Sequence, residues 1–204
     1  SGVRVMVDHG GRPTAGGGLE YNDVFCAGDY QKLGQRAYAT THLVFGEHDG
    51  RVSPRVQRFS QACAGAGFDH EVSQSIRRTQ WEKFVFLVGL SGSTATARVP
   101  IGPIRSHPRS RSFLHDLMHE TVQVARAEGV DLPADYAAQR LAFCDGLIPT
   151  MTSSMHHDLQ RGSRLEVRWL GGDVVDRGER LGIATPNNRA VLDILSVHAD
   201  GPPA

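Results

Sequence analysis

The sequence predicts an α+β protein: a mainly α-helical C-terminal bundle preceded by a small strand–helix–strand unit. Three observations predict it. Residues 1–72 are rich in glycine and turn residues and hold only short strand-like pieces. From residue 73 onward, apolar side chains recur at spacings of three and four. The connections between these helical stretches are short, so neighbouring helices are expected to pack roughly antiparallel.

In chain order, "VRVMV" (3–7) and "HLVFGE" (42–47) read as strands, and "EHDG" after the second reads as a turn. "SPRVQRFSQACAGAGF" (53–68) predicts a short helix. Ser53 caps it, Pro54 sits in its first turn, and Gly65 or Gly67 stops it. "DHEVSQ" gives a last short strand. Helices follow over 73–92, 107–129, 133–148, 152–162, 163–182 and 185–199. In the second, Phe113, Leu117, Met118, Val122, Val124 and Ala125 repeat with helical spacing, and Gly129 ends it. The tail "DGPPA" is expected to fray.

Composition narrows the function. Lys plus Arg and Asp plus Glu are 22 each in 204 residues, so the net charge is zero. Neither nucleic acid nor an anionic membrane is expected as a partner. No apolar run approaches the roughly 20 residues of a membrane span. The start "SGVRVMVDHGGRP" is too short in apolar residues for a signal-peptide core. Cys26, Cys63 and Cys144 are odd in number and far apart, which predicts free thiols in a reducing cytoplasm.

One residue stands out by its surroundings. "WEKFVFLVGLSG" (81–92) is among the most apolar runs in the chain, yet it carries Lys83. On a helix, the ridge neighbours of Lys83 are Ile76, Thr79 and Gln80 on one side and Phe86, Leu87 and Leu90 on the other. Such a lysine either snorkels to water over its apolar stem or lies at the floor of a cleft. In a cleft, desolvation favours the neutral amine, which suits proton transfer at neutral pH. Ser153 and Ser154 open the helix at 152–162. They serve either as caps or as part of an anion site at a helix N-terminus. Glu166, placed in the first turn of the next helix, either answers the helix dipole or takes part in a site.

Two other patterns carry less. His115 and His119 share a helix face at i, i+4, but no third zinc ligand appears at a recognised spacing, and Glu120 follows the second histidine, so H-E-x-x-H is not formed. His156 and His157 point apart on a helix. "DHGGRPTAGGG" (8–18) follows a strand but forms neither G-x-G-x-x-G nor G-K-[ST], and reads as a flexible turn.

Taken together, "WEKF", "TARVPIGPIRSHP" and "SSMHHDLQRGSRLEVRWLGGDVVDRGERLGIATPNN" resemble the C-terminal helical domain of the ketopantoate reductases, the 2-dehydropantoate 2-reductases. The resemblance covers residues 73–198, and "LVFGEHDGRVSPR" is similar to the end of that family's cofactor domain. It implies a bundle like the C-terminal domain of 6-phosphogluconate dehydrogenase behind a small remnant of a Rossmann domain. The implied division is 1–72, the end of a cofactor domain; 73–198, a substrate and catalytic domain; and 199–204, a disordered tail.

The implied activity is NADPH-dependent reduction of 2-dehydropantoate, or a related 2-keto acid, in pantothenate biosynthesis. Lys83 is implied as the catalytic proton donor to the ketone, with Glu166 at the same site. Ser154 is implied as a substrate-binding residue for the polar end, and a homodimer through the helical domain is implied as well. Family members commonly carry asparagines four and eight positions after the lysine, where this chain has Leu87 and Ser91. Ser91 can still hydrogen-bond substrate and Leu87 cannot, which implies a different preference among 2-keto acids. The family's G-x-G-x-x-G is absent from the sequence, so the expectation is a reductase fragment that binds NADPH poorly on its own. The alternatives are a non-catalytic helical dimerisation or interaction module, and a metal-dependent hydrolase built on His115 and His119.

Overall fold

The computed structural model describes residues 20–24, 42–67 and 69–203. The expected strand at 3–7, the turn at 8–18 and Cys26 lie outside them. The described N-terminal part is a three-stranded sheet in the order β1 (Glu20–Val24), β2 (His42–Gly46), β3 (His70–Val72). β1 pairs antiparallel with β2, Glu20 opposite Gly46 and Val24 opposite His42. β3 runs parallel to β2, with Phe45 opposite Val72, after the crossover helix α1 (Pro54–Gly65). Phe45, Val56 and Cys63 close a small core between sheet and helix.

α1 starts where the sequence places it. The Ser53 hydroxyl accepts the Val56 N–H at 3.3 Å and donates its own hydrogen to Glu47 at 2.5 Å. Arg55 clamps both oxygens of the same carboxylate. These bonds, Arg55 first and then Ser53, hold the Glu47 carboxyl down from its ordinary 4.5 to about 2. A depressed carboxyl stabilises the fold fully above its unfolded pKa, and that stability drains as pH falls from 4.5 toward 2. Arg55→Ala is therefore expected to return the Glu47 titration toward 4.5, read as its carboxyl carbon shift by NMR.

The helical part is built around α2 (Ile76–Ala97), which runs five residues past the expected end at 92. The excess is the run "STATA", whose small side chains carry no amphipathic period. They need none, because residues 88–95 are buried all round. Against α2 pack α3 (Ile101–Ser106), α4 (Pro108–Ala127), α6 (Ser154–Arg161) and α8 (Pro186–Ser196); α5 (Tyr136–Asp145) and α7 (Gly171–Leu181) pack on α4. Close approach of α2 and α4 depends on glycine: a Cβ at Gly89 would fall 2.4 Å from Met118 Cγ. Leu114, Leu117, Met118 and Val122 of α4 fill the core, as the periodicity predicts.

Three expectations change. A helix over 163–182 is replaced by an irregular segment, and α7 begins only at Gly171. Leu165 and Val167 are both buried and the Leu165 N–H reaches the Ala199 carbonyl at 2.9 Å, so the chain there is tied to the C-terminus rather than to a helical turn. Glu166 thus precedes the helix instead of lying in its first turn; its carbonyl accepts the Trp169 and Leu170 N–H groups. Second, α3 occupies a stretch read only as a connection. Third, the chain is held up to the start of the tail expected to fray: Ala199 is 2 % exposed and Gly201 is buried, its N–H on the His198 carbonyl at 3.1 Å, while Asp200, Pro202 and Pro203 are exposed.

Among the described residues, no helix is long and apolar enough to cross a membrane. Cys63 and Cys144 are free and buried, and burial pushes the Cys144 thiol up to about 11.

Candidate functional site

At 100° per residue, Ile76, Lys83, Leu87, Leu90 and Thr94 fall within about 60° of one another on α2. Burial along this stripe is uneven. Ile76 and Thr94, at its two ends, are 0 % exposed, and Leu90 is 4 % exposed. Lys83 and Leu87, between them, are partly open. The sheet covers the first end, where Gly46 of β2 lies against Ile76. The N-terminus of α6 covers the other, about three turns beyond Lys83. Lys83 and Leu87 therefore lie along α2 between the part covered by the sheet and the part covered by α6.

The α6 end is fixed by a chain of hydrogen bonds whose directions can be assigned. The Thr94 hydroxyl donates to the Leu90 carbonyl at 2.6 Å, which commits its hydrogen. The Ser153 hydroxyl, 2.9 Å away, must then donate to Thr94, while it accepts the His156 N–H at 3.1 Å as the α6 cap. His156 Nδ1 lies 2.9 Å from the Thr94 carbonyl, which can only accept, so Nδ1 carries the hydrogen. Ser153 is thus consumed by capping. Ser154, the next residue, is exposed at the first turn of α6, where backbone N–H groups and a hydroxyl suit a carboxylate.

Ser91 behaves differently from its neighbours. It is 2 % exposed. The hydroxyls of Ser93 and Thr94 bond back to Gly89 and Leu90, and no such bond is made by Ser91 among the described residues. Glu166 is partly buried in the segment after α6. The geometry thus joins Lys83, Leu87 and Ser91 on one helix and seats the α6 N-terminus, with Ser154, against the same stripe.

The sequence reading missed the residues that brace this frame. Arg177 of α7 lies with its guanidinium carbon 5.5 Å from the Trp81 ring centroid, and it bonds Asp173 and Glu128, each at 2.6 Å. Glu128 also takes Arg77 of α2 at 3.1 Å. Glu120, which the sequence marked only as breaking a zinc motif, caps α8 from α4. Its two oxygens accept the backbone N–H and side-chain amide of Asn187 and Asn188 at 2.7–2.9 Å. Thr94 and Ser153 are 59 residues apart, and no local pattern announces such a pair.

The histidine pair gains no third ligand among the described residues. The His115 and His119 rings stack 5.7 Å apart, His115 on Asp116 and His119 on Gln123. Among the described residues no group of three or more His, Cys, Asp or Glu side chains could hold a metal. A nucleotide cradle is not formed by the described residues either. α1 follows β2 as a phosphate-binding helix follows its strand. Its N-terminus, in a shallow depression of about 510 Å³, is already capped by Ser53. The ionised Glu47 beside the cap opposes a pyrophosphate.

Residues 75–199 match the family model described as "Ketopantoate reductase PanE/ApbA C terminal". The chain is 31% identical over 162 residues to the protein described as uncharacterized oxidoreductase YkpB of Bacillus subtilis (strain 168), covering 78% of this chain and 53% of that one. It is 33% identical over 150 residues to the 2-dehydropantoate 2-reductase of Halobacterium salinarum, covering 74% and 49%. Among solved structures, the PanE/ApbA family ketopantoate reductase of Ralstonia eutropha JMP134 superposes with a TM-score of 0.71 at 29% identity, covering 80% of this chain and 53% of that one. The chain spans about half the length of the relatives it matches.

Proposed function

This chain belongs to the ketopantoate reductase family, and on that premise we propose that it supplies the substrate side of an NADPH-dependent reduction of 2-dehydropantoate, or a related 2-oxo acid, to the 2-hydroxy acid. The observation that carries the proposal is the position of Lys83: a partly buried lysine on a stripe of α2 whose two ends are covered. Residue choice supports it. The chain meets almost every need for a cation with arginine; of its 22 basic residues only Lys32 and Lys83 are lysines. Arginine cannot give up its proton at neutral pH, whereas a lysine in a desolvated setting can.

In this reading the ε-ammonium of Lys83 hydrogen-bonds the ketone oxygen. As hydride reaches the carbonyl carbon, the C=O π pair moves to oxygen and takes the proton from Nζ, leaving a hydroxyl and a neutral amine. The amine recovers a proton from solvent, and a carboxylate at the site, assigned to Glu166, favours its charged form. Ser154 and the first N–H groups of α6 receive the substrate carboxylate, and the Ser91 hydroxyl offers a further donor. NADPH, when bound, supplies the hydride; the described residues do not cradle its pyrophosphate, so their part is the proton and the anion.

The proposal is tested by titrating 2-dehydropantoate into the ¹⁵N-labelled chain and following amide shifts. The first turn of α6 is expected to move with saturation. Ser154→Ala is expected to weaken binding by about ten- to a hundredfold, as for loss of a hydrogen bond to a charged group. Shifts scattered over the surface, unchanged in the variant, would refute the site.

A further inference from the structure

We infer that Arg140 of α5 anchors a second ligand site, at the seam between α2 and α5, that takes a small carboxylic acid with a flat apolar body; the inference does not use the assignment of Lys83. Among the described residues five arginines are partly buried: Arg78, Arg105, Arg111, Arg140 and Arg177. Four of them are spent on oxygens. Arg78 bonds Glu82, Arg111 bonds Asp145, Arg177 bonds Asp173 and Glu128, and Arg105 donates to the Cys144 and Leu147 carbonyls. Arg140 bonds no oxygen among the described residues. Its Nε is buried without an acceptor, and its two NH₂ groups form the open end of the head. The fold thus takes part of a cation out of water and supplies no counter-charge, which is costly unless an anion arrives from outside.

Aromatic rings hold the head in place. The guanidinium carbon lies 5.0 Å from the Tyr136 ring centroid and 5.1 Å from that of Phe143, one turn away on either side along α5. Phe143 in turn meets Phe86 of α2 edge-on, with centroids 5.5 Å apart, where both helices pack on α4. The neighbouring acids are committed elsewhere: Glu82 to Arg78, Asp135 to Gln139 and Asp145 to Arg111. Tyr136 offers no counter-charge either, because burial pushes its hydroxyl up to about 12. Rings against the face of a guanidinium leave its edge for hydrogen bonds, and two parallel N–H groups there match the two oxygens of a carboxylate. One unspent cation suits a monoanion better than a phosphate dianion. Phe86 and Phe143 are partly open, so the flat body of the acid has rings to lie on.

Benzoate is the probe. It is titrated into the ¹⁵N-labelled chain while the Arg140 Nε–H signal, identified by its loss in Arg140→Gln, is followed by NMR. Saturable movement of that signal and of the α5 amides is expected. Benzyl alcohol, which has the ring and no charge, is expected to move neither. Arg140→Lys keeps the charge and loses the fork, and it is expected to weaken benzoate binding by about tenfold or more. Arg140→Gln is expected to abolish the saturable shifts of α5. An Nε–H signal that stays still, movement without saturation, or equal binding by the two variants and the parent overturns the inference. So does an Nε–H signal that shifts with protein concentration in the absence of benzoate, which would assign Arg140 to an acid of a second copy of the chain.

Discussion

With a dinucleotide-binding half joined to the chain, Lys83→Met is expected to lower kcat for 2-oxo acid reduction by about a hundredfold to ten-thousandfold, the usual contribution of a positioned proton donor. The fold should survive. Lys83 sits on the partly open face of α2, while Trp81, Val85 and Val88 hold the opposite face in the core, and methionine keeps the stem volume and helix propensity. Lys83→Arg is the sharper test. It keeps the positive charge and a hydrogen bond to the ketone, so KM should change little. Its proton is unavailable at neutral pH, so kcat should stay low. A structural lysine would give the opposite pattern, with arginine restoring full rate.

Glu120→Ala is expected to cost about 1–3 kcal/mol of folding stability, the scale for leaving buried hydrogen-bond donors without their acceptor. The carboxylate is 5 % exposed and takes four N–H groups from Asn187 and Asn188, one of which is fully buried. α8 has no cap of its own: Thr185 makes no side-chain bond at its N-terminus. Removing Glu120 leaves those donors unsatisfied and a cavity between α4 and α8. Glu120→Gln should recover only part of the loss, because its NH₂ faces donors where an acceptor is required. Urea denaturation followed by far-UV circular dichroism measures both. A loss below about 1 kcal/mol for Glu120→Ala would mean that water replaces the carboxylate freely.

Much of the bundle was legible because burial writes itself into spacing. Leu114, Leu117, Met118 and Val122 must face one way on α4, and Ser53 with Pro54 must open α1, since both follow from local geometry. What the sequence hid is what local geometry does not encode. The end of α2 is surrounded, so it needs small side chains rather than a stripe, and its boundary was read five residues short. Glu166 was set in a helix because "RLEVRWL" allows one; the Leu165 bond to Ala199 decides otherwise from 34 positions away in the chain. Glu120 looked idle because its partners lie 67 and 68 residues on. At the site, Lys83 was visible as a charge out of place. The weld of Ser153 to Thr94, which leaves Ser154 as the open hydroxyl, was not.

The central claim is that this chain serves a 2-oxo acid reductase through Lys83. The most direct measurement is isothermal titration of 2-dehydropantoate into the 204-residue chain and into its Lys83→Met variant. The expected result is saturable binding that Lys83→Met weakens by about tenfold or more, as for loss of a hydrogen bond from a charged group. No binding, or equal binding by the variant, would contradict it and leave the alternative of a helical module of the same family that has an interaction role and no catalysis.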